Sequence, residues 1–106
     1  LRAATFNPAY GAAKHGVVGL TRAAASFYAK NGIRVNAICP GIVDTPMSAS
    51  IDASPGRLST VRVDRTPMLR SAQAIEVARV AVWLCSDEAS YITGAALPVD
   101  GGNSVV

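Results

Sequence analysis

The 106-residue chain is short of most features that announce a partner. It has two cysteines, Cys39 and Cys85, and one histidine, His15, too few for a zinc ligand set and in no CxxC spacing, so no metal is expected. Both cysteines lie in apolar runs, which predicts buried free thiols in a reducing compartment. No apolar run approaches the ~20 residues of a membrane span, and no charged-then-apolar leader is visible. A soluble, cytoplasmic protein is the expectation. Ten basic and seven acidic residues give a charge of +3, with no block of like charge and no basic recognition helix. Nucleic-acid binding is therefore not expected. Repeats and low-complexity tracts are also missing. What remains is a chain that is 50% apolar, enough for one core, and that opens on Leu1 and enters a helix with no strand before it. It reads as a piece of a longer protein.

Five elements can be placed. A helix is predicted over 8–30, with Asn7 as N-cap, Pro8 in its first turn and Gly32 just beyond its end. IRVNAI, residues 33–38, alternates like a strand and stops at Pro40-Gly41. The segment 42–71, with three prolines and scattered Arg and Ser, is too long for a bare connector and reads as a lid or binding loop. A helix over 72–86 has Glu76 and Arg79 as nearly its only charges, so burial on most sides is expected. A short strand over 95–99 ends at Asp100-Gly101-Gly102. Helix, strand, loop, helix, strand is the order of a parallel α/β layer, whose ligands bind beyond the carboxyl ends of the strands. That rule points to Pro40–Met47.

Tyr10 and Lys14 stand four residues apart, so at ~100° per residue they share a helix face with Val17 and Thr21. An ammonium beside a phenol favours the phenolate and suits acid/base work on an alcohol or carbonyl. Taken alone, the pair fits an ordinary helix start equally well. On the opposite side, Ala12, Gly16, Gly19 and Ala23 form a flat stripe. Two glycines in a helix interior, each about 1 kcal/mol worse than Ala, ask for a packing reason.

Three segments in order, AYGAAKHGVVGLTRAAA, NGIRVNAICPGIVDTPM and SYITGAALPVDGG, together resemble the short-chain dehydrogenase/reductase family. The resemblance implies the C-terminal part of a doubly wound parallel-sheet, Rossmann-like fold, incomplete in this chain. It also implies hydride transfer between NAD or NADP and a small-molecule alcohol or ketone. By resemblance Tyr10 is the acid/base, and Lys14 holds the nicotinamide ribose hydroxyls and eases loss of the phenolic proton. Pro40, Gly41, Ile42, Val43 and Thr45 match the segment that meets the nicotinamide end, Ile42 and Val43 through backbone or packing and Thr45 through its hydroxyl. The resemblance further implies pairing of the 8–30 helix across a homodimer or homotetramer interface.

The sequence also departs from that family. No GxGxxG-like phosphate loop occurs, and the positions of the family's catalytic serine and asparagine fall before Leu1. The isolated chain is therefore expected to be inactive. A competing reading is a truncated, non-catalytic product that only binds or oligomerises. Arg57, Arg62, Arg65 and Arg70 fit either a solvated loop or attraction of an acidic substrate. Trp83 and Tyr91 are expected to pack, His15 to be solvated or at an interface, and Asn36 to brace neighbouring backbone.

Overall fold

The computed structural model describes residues 8–46 and 63–105. Its elements are α1 (Pro8–Tyr28), β1 (Ala37–Pro40), β2 (Val43–Asp44), β3 (Ala72–Gln73), α2 (Ala74–Leu84) and β4 (Ala96–Val99). β1 pairs with β4, and β2 pairs with β3 in parallel, with Val43 opposite Ala72 and Asp44 opposite Gln73. The described residues fall into two compact units, one within Leu1–Ile38 and Trp83–Leu97, the other within Cys39–Val82 and Pro98–Val106. Asn7, the expected N-cap, and Met47, Arg57 and Arg62 lie outside the described residues.

In the first unit, α1 turns Gly11, Val18, Thr21 and Ala25 inward at the spacing of one helical face. A 3-10 turn over Ala29–Asn31 ends the helix, and Gly32 at φ 75° supplies the left-handed residue that stops it. Among the described residues, the buried apolar ones, Val18, Ala25, Ala37, Leu84 and Ala89, all belong to this unit. Residues 33–36 are not strand, contrary to the alternation in the sequence, because their polar groups engage the 86–95 turn instead of a ladder. Arg34 donates to the carbonyls of Ser86 (3.1 Å) and Ile92 (3.3 Å), and the Val35 amide donates to Thr93 Oγ1 (3.1 Å). Asn36 braces backbone as expected, donating to the Ile92 carbonyl (2.9 Å) and accepting from the Ala95 amide (3.0 Å).

In the second unit, the long connection after β1 is pinned at both described ends. The Ala72 amide donates to the Ile42 carbonyl (2.9 Å), which ties its exit back to its entrance. A 3-10 turn over Val63–Arg65 precedes that exit. Glu76, in the first turn of α2, accepts the Gln73 amide (2.8 Å), as the return half of a capping box does, and takes both arms of Arg70 at 2.7 and 2.8 Å.

Three sequence expectations are corrected. α2 is not buried on most sides: of its residues only Leu84 is buried, while Ile75 is 54% and Val82 71% exposed. Its apolar sequence sets how much surface favours burial, but among the described residues Glu76, Val77, Val80 and Ala81 are only half-covered and Leu84 alone is buried. Tyr91, expected to pack, is 101% exposed, at the tip of a turn that gives its ring nothing to lie on, and Trp83 is 40% exposed. Cys85 is exposed and Cys39 half-buried, both free: an apolar run in sequence does not say which of its side chains the core covers.

Candidate functional site

Tyr10 and Lys14 lie in the first two turns of α1, one turn apart, and both are exposed. The Lys14 Nζ stands 5.3 Å from the Tyr10 ring centroid, so the spacing read from sequence is realised as a cation over an aromatic face. Thr21, on the same side, is buried and returns its hydroxyl hydrogen to the Val17 carbonyl at 2.8 Å. His15 is exposed and its Nδ1 meets the Gly11 carbonyl at 2.9 Å, a local contact one turn back. The opposite stripe of Ala12, Gly16, Gly19 and Ala23 is exposed, and a Cβ added at Gly16 or Gly19 would meet nothing within 4 Å.

Pro40, Gly41, Ile42, Val43 and Thr45 belong to the second unit, running from the end of β1 through β2. The Gly41 amide donates to the Val99 carbonyl at 3.0 Å. A side chain there is excluded: a Cβ would lie 2.7 Å from Asp100 Cα and 2.8 Å from Asp100 Cβ. Glycine at this position thus reflects close backbone approach, which sequence reading assigned to a turn. Beside it is a hollow of about 340 Å³ lined in part by Ile42, Met68, Arg70, Glu76 and Asp100. Arg70 is not free to attract an acidic substrate, since Glu76 takes its guanidinium.

Electrostatics fix two carboxylates. Glu76 is drawn down to about 2, first by the hydrogen bond from Arg70 and then by the Gln73 amide. Burial pushes Asp100 up, but donors from Ser104 and Gly102 outweigh it and leave its carboxyl below the ordinary value. Because the folded value of Glu76 is depressed, its clamp contributes stability above pH 4.5 and loses it as pH falls toward about 2. The gap in thermal midpoint between wild type and Glu76→Gln should therefore be full at pH 6 and close between those two values. A gap independent of pH would show that the ionised pair contributes nothing.

The Tyr10–Lys14 neighbourhood was expected from the four-residue step, whereas the close approach of Gly41 to Asp100 was not visible in the sequence. The signal for Asp100 was only its place at the end of a strand.

Comparison with known proteins identifies the family. A family profile described as enoyl-(acyl carrier protein) reductase matches residues 1–104. The oxidoreductase UcpA of Escherichia coli K12 is 45% identical over 102 residues, covering 92% of this chain and 39% of that protein. The short-chain dehydrogenase/reductase aba4 of Botryotinia fuckeliana is 45% identical over 105 residues, covering 96% of this chain and 41% of its own. A crystal structure from Agrobacterium tumefaciens with bound NADP superposes with a TM-score of 0.83 at 41% identity, covering 93% of this chain and 40% of that one. The chain thus spans about two fifths of the length of the relatives it matches, and its α/β architecture with parallel strands is part of a Rossmann-like fold.

Proposed function

The chain belongs to the short-chain dehydrogenase/reductase family, and from that premise we propose that it serves an NAD(P)-dependent oxidoreduction of a small alcohol or ketone. The observation that carries the reading is the Lys14 ammonium held 5.3 Å from the Tyr10 ring centroid on an exposed face. Bound nicotinamide would supply or accept the hydride. In the reducing direction the Tyr10 hydroxyl gives its proton to the carbonyl oxygen as the alcohol forms; in the oxidising direction its phenolate takes that proton back. Lys14 supports the phenolate by charge and donates to the ribose hydroxyls. The Pro40–Thr45 segment meets the nicotinamide end, with Gly41 and Val43 contributing backbone and Thr45 its hydroxyl. Ile42, whose carbonyl accepts the Ala72 amide, acts through its remaining backbone groups or packing.

The 106 residues taken alone are expected to be silent, since each sheet among the described residues has only two strands. The test is a nicotinamide absorbance assay of the full-length protein against a panel of alcohols and ketones with NADH, NADPH and their oxidised forms. Absence of both turnover and nicotinamide binding would sink the reading. A cytoplasmic location accords with the two free thiols, and no described helix is long and apolar enough to cross a membrane.

We further assign the Ala12–Ala23 stripe to a homodimer or homotetramer interface. Its support is the open space over Gly16 and Gly19, on the side of α1 away from the buried residues. Gly16→Leu or Gly19→Leu raises helix propensity by up to about 1 kcal/mol, so the protomer should survive. Light scattering should then report a smaller assembly. An unchanged mass would remove this surface from the interface.

A further inference from the structure

The turn that follows β4 touches two other segments at the limit of contact. On one side is Gly41, where a Cβ would stand 2.7 Å from Asp100 Cα. On the other, a Cβ at Gly101 would stand 2.7 Å from Thr66 Cγ2, and one at Gly102 would stand 3.0 Å from Pro67 Cγ. Hydrogen bonds join both sides to the same stretch: the Gly41 amide donates to the Val99 carbonyl (3.0 Å), and the Met68 amide donates to the Gly101 carbonyl (3.1 Å). Thr66 is 3% exposed and Gly101 and Gly102 sit at φ 61° and 88°, so the turn has no slack in space or in backbone choice.

A single side chain gives this turn its shape. The Asp100 carboxylate accepts the Gly102 amide at 3.0 Å through one oxygen and the Ser104 amide at 2.9 Å through the other. Two charge-assisted bonds from the Gly102 and Ser104 amides hold a turn whose Asp100 stands against Gly41 and whose two glycines stand against Thr66 and Pro67.

We propose that Asp100 is a positioning residue for cofactor recognition: by fixing the Asp100–Gly102 turn it sets where Gly41 and the Thr66–Met68 segment stand. The inference rests on the assignment of Pro40–Thr45 to the nicotinamide end. A change at Asp100 therefore reaches the cofactor through backbone position, with no contact of its own to the cofactor. It reaches the Thr66–Met68 stretch by the same movement.

The test is fluorescence titration of the full-length protein with NADH and NADPH, alongside thermal midpoints, for wild type, Asp100→Ala, Asp100→Asn and Leu84→Ala. Asp100→Ala loses both acceptors and should weaken the preferred cofactor about tenfold, the order expected for losing charged hydrogen bonds. Asp100→Asn keeps one acceptor and should fall between Ala and wild type. Leu84→Ala, a buried position in the other unit, should lower the midpoint and leave cofactor affinity unchanged. Affinity of Asp100→Ala within twofold of wild type, or weakened no more than that of Leu84→Ala, overturns the positioning role alone. A wild-type protein that binds neither nucleotide overturns this inference together with the functional reading.

Discussion

Replacing Tyr10 by phenylalanine should lower kcat/KM of the full-length protein by about 10²- to 10⁴-fold, the range that a positioned general acid or base contributes. The change isolates the hydroxyl. Phenylalanine keeps the ring over which Lys14 stands at 5.3 Å, so the cation–ring contact and the start of α1 should persist. Nicotinamide affinity should consequently move much less than turnover. Steady-state rates with titrated cofactor separate the two quantities, and near-normal turnover in Tyr10→Phe would remove Tyr10 from the chemistry. Equal losses in affinity and turnover would instead make it a binding residue.

Gly41→Ala should be the most damaging small substitution in the second unit. Its new methyl would be placed 2.7 Å from Asp100 Cα and 3.1 Å from the Asp100 carbonyl oxygen, and neither is a side-chain tip that can swing away. Forcing such an insertion costs about 1–3 kcal/mol where a core can shift, and backbone shifts less readily than side chains. Gly32→Ala is the informative comparison. Gly32 has φ 75° but open space around it, so alanine there meets only the left-handed strain of about 1–2 kcal/mol. Urea unfolding should rank Gly41→Ala as the more destabilised. Nicotinamide binding should fail in Gly41→Ala and persist in Gly32→Ala, and equal binding in both would mean that Gly41 does not approach the cofactor.

Much of α1 was legible because its determinants are local. Pro8 in the first turn, Gly32 beyond the last and the 3.6-residue period fix its extent and its faces, and the Tyr10–Lys14 neighbourhood follows from a four-residue step. The flat stripe was legible for the same reason. The strand at 33–38 was misplaced by period-2 reading, since alternation says nothing about where polar groups find partners. Arg34, Val35 and Asn36 find theirs in the 86–95 turn, more than fifty residues away, so the ladder begins only at Ala37. The apolar pattern of α2 likewise identified a helix but not its cover.

The sequence by itself therefore determined the order of the main elements, the Tyr10–Lys14 neighbourhood and the family, because each rests on residue types at short, fixed spacings. Only the tertiary structure decided that Arg70 is claimed by Glu76, that Cys85 and Tyr91 face outward, and that Asp100 holds a turn against Gly41. The physical reason is range. Helical faces and caps are set by bonds within a turn or two, whereas a 2.7 Å exclusion between residues 41 and 100 exists only after β1 and β4 have paired.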